Sequence, residues 1–197
     1  MTDHDVSGLG PVDVHVWTIE LDAPDKPRRR ELAHAAERQI LARYLDVRPA
    51  SLEFGREPSG KPLLVSDQLQ FNLSHSGGVA LLAVSRTLAV GIDVQEPHEA
   101  VTRPWFAKRI CSLREYEQIA ALTDRSAALL RLWVRKEAVV KARGEGSYVS
   151  VDGLDVWDDQ VQGGWLCRDL ELPALDGYRA AVVTRDVPGV TITTRSF

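Results

Sequence analysis

From Arg125 to Arg143 the chain carries an unbroken helical pattern that Gly144 ends, and one line along that helix runs from apolar residues into charge. Leu129, Trp133, Glu137 and Lys141 fall four residues apart, so they share a face. A helix face that begins with Leu and Trp belongs in a core, and an ion placed there without a partner is costly. The fold therefore has to bring a partner to Glu137.

A second acid has the same need. In "AVGIDVQE", residues 89–96, strand alternation puts Ile92 and Val94 on one face and Gly91, Asp93 and Gln95 on the other. Glu96 should point away from Asp93 unless Pro97 ends the strand early. Two carboxylates distant in sequence, each on a buried-type face, are more economical as co-ligands of one cation than as two lone buried charges. Mg²⁺ suits Asp93, Glu137, a neutral oxygen from Gln95 and the oxygens of a phosphate substrate. The competing arrangement has Asp93 capping a turn and Glu137 paired with a lysine one turn away.

"FNLSHSGG", residues 71–78, sets Ser74, His75 and Ser76 before a glycine pair, where a short polar cluster can surround an anion and His75 can donate to a phosphate oxygen. A turn whose serines satisfy local backbone groups is the plainer alternative. Lys61 in "SGKP" and Lys141 are point charges suited to phosphates. "SGKP" lacks the spacing of a P-loop, and no helix opens after it.

The rest of the pattern is α+β. Residues 12–21 alternate as a strand, with Val12, Val14, Val16 and Thr18 on one side. Residues 28–45 read as a helix with Leu32, Ala36, Ile40 and Tyr44 inward and Arg30, His34 and Arg38 on a basic stripe. Three short strands follow, the last two expected to form a hairpin through residues 85–87. Two short helical patterns precede the long helix, and four strand candidates follow it: "LDVW", "GWLCRDLEL", "YRAAVVTR" and "VTITTRS". Each half thus reads as helix then antiparallel strands, residues 1–97 and 98–197, in one compact unit with a duplicated layout.

The 197 residues are 44% hydrophobic and 26% charged, as in an ordinary globular chain. A formal charge of −4 argues against wide nucleic-acid binding. The N-terminus shows no basic region followed by an apolar run, and no segment approaches the roughly 18 apolar residues of a membrane span. A soluble, cytoplasmic protein is expected. Cys111 and Cys167 match no metal-ligand spacing.

Together "GKP", "FNLSHS", "GIDVQ" and "WVRKEAVVKARGEG", from about residue 60 to 146, resemble in order and spacing the motifs of the surfactin-type 4′-phosphopantetheinyl transferases. The resemblance implies a pseudo-dimer of two similar α+β halves with the active site between them. It also implies transfer of the phosphopantetheine arm of coenzyme A to a serine of an acyl or peptidyl carrier protein. Position by position, it implies that Asp93 and Glu137 hold Mg²⁺ against the pyrophosphate, and that Glu137 accepts the carrier serine's proton. His75 and Lys141 would bind pyrophosphate oxygens, with Ser74 and Lys61 near the nucleotide.

Gln95 stands where many relatives have Glu, which should weaken metal binding. The N-terminal part is short, and Arg30 with its stripe could replace basic residues that meet the adenosine 3′-phosphate. Residues 103–117, with Trp105, Phe106, Tyr116 and several cations, are the expected docking surface for an acidic carrier. A monomer suffices if both halves lie in one chain. Two other functions are weighed: a non-catalytic relative that binds coenzyme A or a carrier, and a metal-dependent phosphoesterase.

Overall fold

The structure, a computed structural model, describes residues 6–146, 150–172 and 175–197; residues 1–5, on which the reading of the N-terminus partly rests, lie outside these. In chain order the elements are β1 (Asp13–Glu20), α1 (Lys26–Leu45), β2 (Phe54–Arg56), β3 (Pro62–Leu64), β4 (Gln70–Ser76), β5 (Val79–Ser85) and β6 (Val90–Gln95). Then come α2 (Pro104–Ile110), α3 (Leu113–Ala120), α4 (Arg125–Arg143), β7 (Gln160–Val161), β8 (Trp165–Asp169), β9 (Arg179–Arg185) and β10 (Thr191–Ser196). The class is α+β. One four-stranded sheet has the order β10-β1-β5-β4, with β1 and β10 parallel, and another has the antiparallel order β6-β9-β8-β7. Sheet membership crosses residue 97, because β6 pairs with β9 and β10 pairs with β1.

The core explains the layering. Ala33, Ile40 and Leu41 of α1 pack with Trp17, Phe71 and Leu82 on one face of the first sheet. Leu132 and Val139 of α4 pack with Cys167, Ala181 and Val183 on one face of the second. The remaining faces meet each other through Val14, Val16 and Leu81 against Ile92, Val94 and Val182. Strands β5 and β6 are therefore covered on both sides; β5 is apolar almost throughout, whereas β6 alternates and turns Asp93 and Gln95 to one of its covered faces. The two long helices start on side-chain caps. Asp25 accepts from Arg28 N at 2.8 Å and Asp124 from Ala127 N at 3.0 Å, each worth about 1 kcal/mol.

Three expectations are corrected. Strands β5 and β6 are not a hairpin; they belong to different sheets. The tight hairpin is β4–β5, closed by Gly77 and Gly78 with Ser76 opposite Val79, and Gly77 takes the positive φ of 53° that a two-residue turn requires. "LDVW" is not a strand, because its carbonyls serve the cations of α4: Arg135 donates to Val156 O at 2.8 Å, and Lys136 donates to Leu154 O and to Val151 O. The inner face of α1 keeps Ala36, Ile40 and Tyr44 as expected but is wider and excludes Leu32, which is 37% exposed, while Ala33, Glu37 and Leu41 are buried.

Among the described residues no helix is long and apolar enough to cross a membrane. Cys111 and Cys167 are free and buried, and burial pushes their thiols up to about 11 and about 12, so they are inert.

Candidate active site

The site is built where α4 crosses β6. A Cβ on Gly91 would collide with the Ala138 carbonyl and the Ala142 amide, so glycine lets the helix backbone rest directly on the strand. That approach brings Lys141 to Asp93, which is 1% exposed. Lys141 Nζ donates to Asp93 Oδ1 at 2.6 Å, and to Ser74 Oγ and Ile92 O at 3.2 Å. Ser74 Oγ donates to Asp93 Oδ1 at 2.7 Å, and the Gln95 amide donates to Asp93 Oδ2 at 3.2 Å. Asp93 and Gln95 thus share a side, as alternation required.

Glu137 is half-buried beside this cluster. Burial pushes its carboxyl above the usual range, the negative charge of Asp93 adds to the rise, and Lys141 opposes it. The lysine one turn along α4 has gone to Asp93, so the competing arrangement, with Glu137 taking it, does not hold. Glu137 feels the charge of Asp93 across a site whose lysine is hydrogen-bonded to Asp93. A divalent cation suits that imbalance. Among the described residues no group of three or more His, Cys, Asp or Glu side chains could hold a metal, so any such ion would rest on two carboxylates and neutral oxygens.

A family model described as the 4′-phosphopantetheinyl transferase superfamily matches residues 89–183. The chain is 34% identical to the 4′-phosphopantetheinyl transferase HetI of Nostoc sp. over 165 residues, 68% of this chain and 70% of that protein. It belongs to the 4′-phosphopantetheinyl transferase superfamily. The chain is also 36% identical over 135 residues to the 4′-phosphopantetheinyl transferase AcpT of Escherichia coli K12, covering 66% of this chain and 67% of that one. Over 123 residues it is 32% identical to the mouse L-aminoadipate-semialdehyde dehydrogenase-phosphopantetheinyl transferase, 55% of this chain and 40% of that protein. The protein is an enzyme of this superfamily, and the matched region contains Asp93, Gln95, Glu137 and Lys141.

Sequence reasoning missed how this transferase joins its two sheets. Alternate side chains of β4 receive or approach the backbone of β6: Ile92 N donates to Asn72 Oδ1 at 2.9 Å, Val94 N to Ser74 Oγ at 3.4 Å and Glu96 N to Ser76 Oγ at 3.0 Å. This ladder fixes "FNLSHS" beside "GIDVQE" without backbone pairing. The signal was present as three polar residues at period two, Asn72, Ser74 and Ser76, on a strand otherwise apolar at Phe71 and Leu73.

The other expected site residues surround an adjoining cleft or stand apart from it. His75 is exposed and lines a cavity of about 340 Å³ with Lys26, Arg29, Gln95, Glu96 and His98, so Glu96 faces this space after the strand ends at Gln95. Partial desolvation at the cleft wall and then the charges of His34, Arg30 and Lys141 hold the His75 imidazole below its usual value. Arg30 is exposed beside His34 and His75. Lys61 instead turns its Nζ to Val90 O at 3.0 Å, and burial lowers its value, opposed by Glu57. Arg38 leaves the basic stripe: it donates to Pro49 O and Leu52 O at 2.8 and 2.9 Å and lies over the Phe54 ring.

Proposed function

We propose that the chain is a Mg²⁺-dependent transferase of the surfactin-type branch, moving the 4′-phosphopantetheine arm of coenzyme A to a serine of an apo acyl or peptidyl carrier protein. The observation that supports this most is Asp93, almost fully buried, held under α4 with Lys141 on it and Glu137 beside it. Asp93 and Glu137 would hold Mg²⁺, with Gln95 turning its amide oxygen to the ion, and the ion supplies neutralisation of charge on the pyrophosphate oxygens.

The carrier serine Oγ attacks the phosphorus that bears the pantetheine arm. A phosphorus–oxygen bond to serine forms, the bond to the bridging pyrophosphate oxygen breaks, and adenosine 3′,5′-bisphosphate leaves. Glu137 takes the serine proton directly or through water. Lys141 moves from Asp93 to a pyrophosphate oxygen, and His75 donates to another. Arg30 would meet the nucleotide end, Ser74 would order the Asp93 ligand to which it donates, and Lys61 would have to leave Val90 O to reach a phosphate. Catalysis is by positioning and charge neutralisation, as phosphoryl transfer requires.

We read the two four-stranded sheets, each with its long helix, as the two halves of a pseudo-dimer divided near residue 97, with β6 and β10 exchanged across the division. A monomer in the cytoplasm then suffices. For carrier docking, α2 and α3 offer Trp105, 55% exposed, and Tyr116, 45% exposed, beside the exposed Lys108 and Arg109, whereas Phe106 is buried against Trp133. Intact-mass spectrometry of a purified apo carrier incubated with the protein and coenzyme A tests the reading. A phosphopantetheine mass gain that needs both the protein and Mg²⁺ is expected. Coenzyme A binding with no gain on any carrier would favour the non-catalytic reading, and release of phosphopantetheine without a carrier would favour a phosphoesterase.

A further inference from the structure

Glu37 of α1 is 5% exposed, an unusual depth for a carboxylate on a helix. Its Oε2 accepts from Nδ1 of His34, one turn back, at 2.9 Å. That bond spends one ring nitrogen and fixes the plane of the ring, leaving Nε2 as its other polar atom. His34 itself is about half exposed and lines two adjoining cavities, of about 260 and 740 Å³, and Arg30 and His75 line both with it. His75 lies within electrostatic reach of both His34 and Arg30, which locates the three basic groups at one place.

The acids at that place are already engaged. Glu37 is tied to His34, and Glu31 pairs with Arg28 at 3.0 Å. No ion pair to Arg30 is found among the described residues. Convergent basic groups with their local acids occupied form a site for an anion, and Pro62, Phe71 and Leu73 wall the smaller cavity on its apolar side.

Building on the coenzyme A reading, we propose that Glu37 is a positioning residue: it fixes the His34 ring so that His34 Nε2 and the Arg30 guanidinium together hold a phosphate of coenzyme A. Beside a phosphate both ring nitrogens act as donors, one to Glu37 and one to the anion. A ring already held in place loses little rotational freedom on binding, so truncating Glu37 costs affinity through His34.

The test is the dissociation constant of coenzyme A and of its analogue lacking the 3′-phosphate, measured by calorimetry on the full chain and its variants. His34→Ala, at a half-exposed ring, is expected to weaken coenzyme A binding roughly tenfold. Glu37→Leu should do the same, while Glu37→Gln, which still accepts from Nδ1, should stay within about twofold of the parent. In the double variant His34→Ala/Glu37→Leu no further loss should follow, because both act through one ring. In steady-state transfer the effect should fall on KM for coenzyme A, with kcat at saturation unchanged. A loss confined to coenzyme A assigns the 3′-phosphate, and an equal loss for the analogue assigns the pyrophosphate. Unchanged affinity in His34→Ala, or a Glu37→Leu penalty as large without His34 as with it, overturns the proposal. If the parent binds neither ligand, the coenzyme A reading itself fails.

Discussion

Helix α4 carries two lysine–acid pairs five residues apart, and they have opposite characters. Lys136 meets Glu115 at 2.7 Å with both side chains fully buried. Every remaining polar group there is used: Lys136 donates to Val151 O and Leu154 O, and Glu115 accepts from Ser112 N and Val156 N at 2.8 Å. Lys141 meets Asp93 at 2.6 Å, but its side chain is 27% exposed and a second acid, Glu137, stands beside the pair. The first pair is closed and neutral. The second has one carboxylate too many and opens on a basic cleft. The difference teaches that surplus negative charge at an open edge, more than burial of ions as such, is what sets the candidate site apart from the structural pair.

That contrast can be broken in order of size. Asp93→Ala or Glu137→Ala should lower transfer by roughly 10³-fold or more at saturating substrates, with circular dichroism unchanged; near-full activity in either at ordinary Mg²⁺ would remove the metal assignment. Lys136→Met should instead cost about 3–5 kcal/mol of stability, because it leaves Glu115 buried and unpaired. Denaturant melts would read this, and adding Glu115→Gln should recover part of the loss. A stable Lys136→Met would mean that the closed pair is not structural.

The smaller effects sharpen the open pair. Gln95→Glu should keep activity and lower the Mg²⁺ concentration for half-maximal rate by about tenfold, since a charged ligand replaces a neutral one. A higher requirement would contradict the placing of residue 95 beside Asp93. For Glu137 the sign follows from its raised carboxyl. Ionisation costs more in the folded chain than in the unfolded one, so the penalty is absent well below the ordinary value of 4.5 and grows as pH rises through the folded value. Glu137→Gln should therefore raise the thermal midpoint at neutral pH and leave it unchanged near pH 3. Equal shifts at both would assign the gain to packing.

Much of this site could be read from local pattern. The period of four along α4 and of two along β6 placed Asp93, Gln95, Glu137 and Lys141 on the faces where they are found, and α4 begins and ends as its caps foretell. What could not be read depends on pairing between distant segments. The side of β6 that faces away from α4 meets another sheet rather than a hairpin partner, and no local signal names the strand across a crossover. "LDVW" has strand composition, yet buried cations of α4 take its carbonyls. Likewise Lys136 and Lys141 are indistinguishable by residue type; only the fold decides that one meets Glu115 and the other Asp93.

The most direct measurement is Mg²⁺ binding followed by calorimetry in the presence of coenzyme A, on the parent chain, Asp93→Ala and Glu115→Gln. The account predicts binding by the parent, its loss in Asp93→Ala, and its retention in folded Glu115→Gln, since only the open pair has charge to spare. Binding retained by Asp93→Ala, or none by a parent that binds coenzyme A, would contradict it.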